Sequence, residues 1–178
     1  MNDINININM KYLLILTFLL SCNSFLTKIK NVRKMPILYG PSKKYNINIE
    51  HIYPRSFLNK SNFNEIHNMF GCHAIKNSLR SNYKFGIGDY VIDHKDRIYV
   101  PRIEDRGVIA RTILFMKFKY NYTINRVITE EKLLYNWNKL YEPSIQEINH
   151  NNFGYEIQGY DNPFITHYEE LKEDCEID

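Results

Sequence analysis

Alternating apolar and polar residues predict two strands in the first half of the chain. Residues 46–53 (NINIEHIY) alternate with the period of a β-strand, which puts Ile47 and Ile49 on the inward face, and Pro54 ends the run. Residues 66–72 (IHNMFGC) form a second apolar-rich segment, which we interpret as a strand or a turn. A polar loop separates the two segments.

A short helix and a hairpin are predicted next. Residues 73–81 have helical spacing, with Ala74, Ile75 and Leu79 on one side. Residues 86–100 (GIGDYVIDHKDRIYV) contain two apolar stretches around a polar group, as is typical of a β-hairpin.

Three longer helices are predicted in the second half. Residues 106–120 are strongly apolar, and their inward face would carry Ile109, Ile113, Met116 and Tyr120. Residues 130–141 form a second helix, with Leu133, Leu134 and Trp137. A third spans 144–158 after Pro143, whose fixed φ suits a helix start. Together these elements predict an α+β fold, in which two strands and a short helix pack on a mainly helical domain.

The first 26 residues predict a signal that directs the chain to export. Lys11 is followed by the apolar run 12–20 (YLLILTFLL) and then by small polar residues, which is the pattern of a secretory signal peptide. The run is shorter than the ~20 residues that span a bilayer as a helix. A membrane anchor at 1–26, a lipidated Cys22 and a buried helix are the alternatives. We therefore expect a secreted or periplasmic protein.

Charge divides the remaining chain into segments. The formal net charge of +3 is too small to indicate a polyanionic partner by itself. Basic residues collect in 27–46, which we interpret as a basic linker, and acids collect in 169–178, which we interpret as a solvated acidic tail. The main domain is predicted at 47–168.

Cysteine usage argues against a structural zinc site. Cys22, Cys72 and Cys175 are few and scattered, and no Cys-x-x-Cys occurs. An oxidising compartment would permit a disulfide between Cys72 and Cys175.

Glu50 and His51 are the first candidates for chemistry. Hydrolysis of a phosphodiester needs a base for water, a cation for the charge on phosphorus and help for the leaving oxygen. A histidine with a pKa near ~6.5 is neutral at pH 7–8 and can act as the base. Adjacent strand residues point to opposite faces, so the chain must kink for the carboxylate and the imidazole to converge.

An ordered series of polar motifs surrounds this pair. It comprises Glu50-His51-Ile-Tyr-Pro54, Ile66-His67-Asn68, Asn77-x-x-Arg80-Ser81-Asn82, Arg106-Gly107-x-x-Ala110-Arg111 and Gln158-Gly159-x-x-Asn162-Pro163. The series resembles the endonuclease I family, the secreted and periplasmic nonspecific nucleases of bacteria, over about 47–168. The resemblance implies a ββα-metal (His-Me finger) motif in a nuclease domain.

The resemblance also implies residue roles. His51 matches the general base that activates the attacking water. Glu50 and Asn77 match the oxygen ligands of a divalent cation, with Mg²⁺ expected and Ca²⁺ or Mn²⁺ as alternatives. His67 and Asn68 match a second-strand pair that is expected to orient the base.

Two arginines are candidates for contact with phosphate. A guanidinium presents a planar fork to phosphate oxygens, so Arg80 and Arg106 are assigned to the catalytic group. The alternative for each is a structural pairing with buried carbonyls or acids. A polar scaffold that holds the helices on the site is predicted from Arg111, Glu147, Asn151, Gln158 and Asn162, and Trp137 and Phe164 are assigned to the core.

The chain departs from the family pattern at three places. The loop between Glu-His and His-Asn is short here, and only Arg55 and Lys60 are candidates for the arginine that some relatives take from it. His150-Asn151 stands where the family usually has Arg-Asn. Asp161 replaces a basic residue, which could weaken DNA binding.

Three functions follow, in order of preference. The first is a metal-dependent, sequence-nonspecific endonuclease that hydrolyses DNA, with RNA as a further substrate class, and that acts as a monomer without a protein partner. The second is a nucleic-acid-binding protein with a weakened active site. The third is an exported structural or interaction protein.

Overall fold

The computed structural model describes residues 35–40 and 46–172 of the 178-residue chain. The predicted signal segment with Cys22, most of the predicted linker, and Cys175 in the acidic tail lie outside the described residues. Within them, no helix combines the length and the apolar composition needed to cross a membrane.

A three-stranded sheet carries the two predicted strands. Its strands are β1 (Ile37–Leu38), β2 (Ile47–His51) and β3 (Met69–His73), in the order β1-β3-β2. β2 and β3 are antiparallel, and their register runs from Ile47 opposite His73 to His51 opposite Met69. The second predicted strand begins late because Ile66–Asn68 form a 3-10 turn.

The N-terminal boundary of the folded part differs from the prediction. Residues 35–40 fall within the stretch predicted as a linker, yet β1 pairs in parallel with β3 and Tyr39 is buried. A two-residue strand is too short to show an alternating pattern, which explains why the sequence did not reveal it.

Helix α1 (Ala74–Arg80) follows β3 directly and packs against both β2 and β3. Its orientation is unexpected. The apolar residues Ile75 and Leu79 are 64% and 46% exposed, whereas Arg80 is only 1% exposed. The face of α1 that meets β2 is polar because Asn77 and Arg80, one turn apart, bind the backbone of that strand.

A second small sheet contains the predicted hairpin. Strands β4 (Lys84–Phe85), β5 (Ile92–Asp93) and β6 (Ile98–Tyr99) are ordered β4-β6-β5. β5 and β6 are antiparallel, and the Asp93 carboxylate accepts the amide hydrogens of Lys95 and Asp96 in the turn. The hairpin is therefore confirmed, with strands shorter than the predicted span.

The helices of the second half surround one central helix. They are α2 (Ile103–Tyr120), α3 (Glu131–Leu140), α4 (Ile145–Gln158), α5 (Pro163–Thr166) and α6 (Tyr168–Leu171). Every residue of α2 from 107 to 116 is buried, so the single inward stripe predicted for it was too narrow. The reason is that α3, α5 and the 66–68 turn pack on different sides of α2.

Polar side chains join α4 to this core, as the sequence predicted. Arg111 donates from Nε and Nη2 to the two carboxylate oxygens of Glu147, each at 2.7 Å. The Gln158 amide oxygen accepts from the backbone nitrogen of Ile66 at 2.9 Å. Asn162 donates to the carbonyl of Arg111 at 3.2 Å. These contacts confirm the scaffold, and the fold is confirmed as α+β.

Candidate active site

His51 is the last residue of β2, and one of its ring nitrogens is fixed by the backbone. Nε2 lies 2.9 Å from the carbonyl oxygen of Phe63. A carbonyl only accepts hydrogen bonds, so Nε2 carries the hydrogen and Nδ1 of the neutral ring keeps its lone pair. No residue that the structure describes donates to Nδ1. Burial lowers the pKa of His51, the hydrogen bond to the Phe63 carbonyl partly opposes that shift, and the nearby charges of Arg55 and Arg80 add to it. The ring is therefore built as a neutral base.

The loop between β2 and β3 supplies that carbonyl. Two 3-10 turns, Arg55–Phe57 and Lys60–Asn62, bring the chain back so that Phe63 faces His51. The Tyr122 hydroxyl accepts from the Asn59 amide at 2.8 Å and ties the loop to the helical part. A short, tied loop can hold one tautomer of His51 in place.

Glu50 lies on the opposite side of β2 and is 2% exposed. Its Oε1 accepts from the Tyr39 hydroxyl at 2.8 Å and pairs with Nη1 of Arg80 at 3.1 Å. Burial raises the pKa of Glu50, and the positive charge of Arg80 opposes that rise. Among the described residues, none donates a hydrogen bond to Oε2.

Arg80 is buried beneath the end of β2. Its guanidinium donates to the carbonyls of His51, at 3.2 Å, and Ile52, and it stacks over the ring of Phe85 at 4.4 Å. With its ion pair to Glu50, these contacts match the structural alternative that the sequence left open for this arginine.

Asn77 of α1 lies against β2 and has an amide oxygen available as a ligand. Its Nδ2 donates to the Ile49 carbonyl and to Oδ1 of Asn48, both at 2.9 Å. Because the Ile49 carbonyl can only accept, this contact also fixes which end of the amide is nitrogen. The Oδ1 of Asn77 accepts from none of the described residues.

Asn68 is fully buried and controls the chain just after His51. Its Oδ1 accepts from the Tyr53 amide at 2.7 Å, and its Nδ2 donates to the Tyr53 carbonyl at 3.0 Å. The Asn68 carbonyl accepts from the Ile52 amide at 3.1 Å. Asn68 thus acts on the backbone that follows the base and does not contact the imidazole.

His67 faces the helices. Its Nε2 donates to the carbonyl of Tyr160 at 3.1 Å, and its ring packs edge-on against Phe115 with 5.0 Å between centroids. Gly154 of α4 lies so close that a Cβ atom there would be 2.3 Å from Cε1 of His67. Within the described part of the chain, His67 makes no contact with His51.

Arg106 lies on α2, and its contacts are not with the other site residues. Its Nε donates to the Pro101 carbonyl at a long 3.4 Å, and its guanidinium lies 5.5 Å from the Trp137 ring. The structure therefore brings Glu50, Asn77 and Arg80 together where α1 packs on β2, with His51 at the end of β2. Arg106 lies apart from this group, on α2.

Two contributors were not found from the sequence. Tyr39, which holds Glu50, lies in the stretch predicted as a linker and belongs to no motif. Phe63 contributes a backbone carbonyl, which any residue type carries, so no sequence signal could identify it.

The donor set bears on metal binding. In residues 35–40 and 46–172, no cluster of three or more His, Cys, Asp and Glu side chains is arranged to hold a metal ion. The carboxylate of Glu50 and the amide of Asn77 each keep one oxygen without a described partner. Such oxygens fit a hard divalent cation, which keeps several waters and needs few protein ligands.

These features describe an α+β protein with a cluster of polar side chains at the junction of an antiparallel strand pair and a helix. A neutral imidazole with a free Nδ1 can take a proton from water. The chain belongs to the endonuclease I family: the model of that family, described as Endonuclease I, matches residues 19–169.

Two curated relatives support the same family. Endonuclease-1 of Buchnera aphidicola subsp. Acyrthosiphon pisum (strain APS) is 29% identical over 111 residues, which are 57% of this chain and 44% of the relative. Endonuclease-1 of Buchnera aphidicola subsp. Baizongia pistaciae (strain Bp) is 29% identical over 84 residues, which are 47% of this chain and 34% of the relative. The matched stretch thus spans less than half the length of either relative.

Proposed function

We propose that this protein is a metal-dependent endonuclease that hydrolyses phosphodiester bonds of DNA with little sequence specificity, and that RNA is a second substrate class. The observation that carries the proposal is the fixed tautomer of His51. With Nε2–H held by the Phe63 carbonyl, Nδ1 is free to accept the proton of an attacking water. Family membership supports the substrate class.

The strand pair and helix are proposed to form a ββα-metal motif. β2 and β3 are antiparallel, and α1 returns across them with Asn77 facing β2. Glu50 and Asn77 would hold a divalent cation, with Mg²⁺ expected and Ca²⁺ or Mn²⁺ as alternatives. The chemistry supplied by the cation is neutralisation of charge on the phosphate and the leaving oxygen.

The other residues position these groups. Arg80 and Tyr39 fix one oxygen of Glu50, which leaves the second oxygen for a ligand. Asn68 fixes the backbone after His51. Arg55 is exposed and stacks over the Phe63 ring at 4.4 Å, and its positive charge is close enough to His51 to lower the pKa of that ring. We therefore assign Arg55 to contact with the substrate phosphate. Water attack would leave a 5′-phosphate and a 3′-hydroxyl, as the family resemblance implies.

Export through the N-terminal segment and a monomeric state belong to the same proposal and rest on the sequence. The proposal includes no protein partner.

The test is a cutting assay with plasmid DNA in Mg²⁺ or in EDTA. Cutting that needs Mg²⁺ and is lost in His51→Ala is the expected result. Retardation of the plasmid without cutting would favour a binding protein with a weakened site. Neither cutting nor retardation would favour an exported structural or interaction protein.

A further inference from the structure

An open cleft of about 520 Å³ lies beside the candidate active site. Lys76 and Leu79 of α1 form one wall, Tyr90 and Val91 of the 86–91 segment form another, and Arg106 of α2 closes it. The volume is that of a site for one small organic group, since ligand pockets commonly measure roughly 300–1,000 Å³.

The walls of the cleft carry apolar side chains in water. Tyr90 is 78% exposed, Val91 is 64% exposed, and Ile103 at the start of α2 is 57% exposed. Leu79 adds to the same surface from α1. Single exposed apolar residues are ordinary, but a group of them around one concavity marks a binding surface.

The charge of the cleft is positive on balance. Lys76, Arg102 and Arg106 line it, and Asp89 is the acid among its lining residues. Arg102 is neutralised by Asp105, with bonds of 2.9 Å from both Nε and Nη2. The two Nη atoms of Arg106 donate to none of the described residues. Arg106 therefore offers a planar fork to an anion.

An aromatic and apolar surface next to a guanidinium whose two Nη atoms donate to none of the described residues is suited to a nucleotide. Unpaired bases stack on exposed aromatic rings, and cationic side chains hold the adjacent phosphate. An apolar peptide would gain nothing from Arg106, and a free phosphate would gain nothing from Tyr90 and Val91.

Tyr39 connects the cleft to Glu50. Tyr39 is one of the residues that line the cleft, and its hydroxyl donates to the Glu50 carboxylate at 2.8 Å. Helix α1 serves both places, because Asn77 and Arg80 face β2 while Lys76 and Leu79 face the cleft. A nucleotide in the cleft would therefore border the group proposed to hold the cation.

We infer that this cleft is a subsite for one unpaired nucleotide of a single strand, with the base on Tyr90 and its phosphate on Arg106. The role of this subsite in substrate cutting rests on the proposed function, but nucleotide binding in the cleft can be measured without catalysis. It makes single-stranded nucleic acid, or locally unpaired duplex, the preferred substrate.

The first experiment measures binding of deoxyadenosine 5′-monophosphate to the His51→Ala protein by NMR titration. Shifts are expected at Lys76, Tyr90 and Arg106, with affinity lowered about tenfold by an added Tyr90→Ala. Tyr90 is exposed, so its removal leaves the fold intact, and Tyr155→Ala is the matched control because Tyr155 is 58% exposed on α4. Equal affinity for inorganic phosphate, shifts elsewhere, or no effect of Tyr90→Ala would overturn the inference.

The second experiment measures cutting by the protein with His51 intact. Tyr90→Ala should lower kcat/KM on a single-stranded oligonucleotide about tenfold, mainly through KM, and leave duplex cutting within about twofold. Equal losses on both substrates would contradict the subsite. If the protein cuts neither substrate, the proposed endonuclease fails, and the nucleotide titration still decides the cleft.

Discussion

Two buried Arg–Glu pairs lie in different regions of this protein, and only one of them is complete. In the helical region, Arg111 meets both oxygens of Glu147 at 2.7 Å, so each group satisfies the other. At the end of β2, Arg80 pairs with a single oxygen of Glu50 at 3.1 Å, its two Nη atoms also donate to carbonyls, and its buried Nε donates to none of the described residues. The first arrangement is that of a scaffold. The second leaves Oε2 of Glu50 without a hydrogen-bond donor among the described residues.

The comparison separates a buried ion pair that supports the fold from one that we propose to serve chemistry. A buried ion pair is stabilising only when its geometry compensates the loss of solvation. That condition is met around Arg111. Around Glu50, burial instead raises the pKa of the carboxyl, because the charged form is incompletely compensated. A fully paired residue at this position would give a more stable fold, and such a sacrifice of stability is typical of functional sites.

The largest effect is expected from His51. Removing a general base lowers rates by about 10²- to 10⁴-fold, so His51→Ala should lose at least a hundredfold in the rate of plasmid cutting. The free energy of unfolding should change little, because the ring makes one hydrogen bond. His94→Ala is the control, since His94 is exposed in the β5–β6 turn. Equal rates for His51→Ala and the unmodified protein would remove the base from the mechanism.

The two arginine pairs should respond differently to neutral substitutions. Arg111→Met leaves the Glu147 carboxylate buried without a partner and should cost about 3–5 kcal/mol in denaturant unfolding. Adding Glu147→Leu should recover most of that loss. Glu50→Gln keeps an amide oxygen that can accept from Tyr39 and Arg80, so it should cost about 1–3 kcal/mol, less than Arg111→Met, while abolishing Mg²⁺-dependent cutting. A large stability loss in Glu50→Gln would show that both pairs are structural.

The scaffold should also weaken in acid through His150. Burial lowers the pKa of His150 from 6.5 to about 4, and its Nε2 donates to the Ile66 carbonyl at 3.0 Å. The unfolded chain takes up a proton below pH 6.5 and the folded chain does not until about pH 4. Stability is therefore full above pH 6.5 and is lost as the pH falls toward 4, by about 3 kcal/mol for this residue.

Urea unfolding across that range measures the effect. His150→Gln keeps a donor for the Ile66 carbonyl but does not titrate, so its stability should depend less on pH. Burial also lowers the pKa of His67, so part of the pH dependence should remain in His150→Gln. Identical pH profiles would contradict the assignment to His150.

The smallest effects on stability are expected at two glycines, Gly154 within α4 and Gly159 at its C-terminal end. A methyl group at Gly154 would lie 2.3 Å from the His67 ring, so Gly154→Ala should cost about 1–3 kcal/mol by overpacking. Gly159 has φ of +78° and no atom near its missing Cβ, so Gly159→Ala should cost about 1 kcal/mol through backbone strain alone. Thermal unfolding compares them, and a costlier Gly159→Ala would mean that His67 moves freely.

The sequence predicted the elements better than their faces. The strand at β2, the hairpin and the long helices follow from hydrophobic period, and the Arg111–Glu147 scaffold follows from the motif series. The orientation of α1 does not, because its inward face is polar and binds carbonyls of β2, which no residue pattern displays. Tyr39 and the Phe63 carbonyl were missed because both reach the site through tertiary contacts alone.

The most direct test is a crystal structure of the protein with Mn²⁺, read by its anomalous signal. The account predicts one strong peak bonded to a carboxylate oxygen of Glu50 and to Oδ1 of Asn77. A peak bound elsewhere, or none while cutting activity in Mn²⁺ persists, would contradict it.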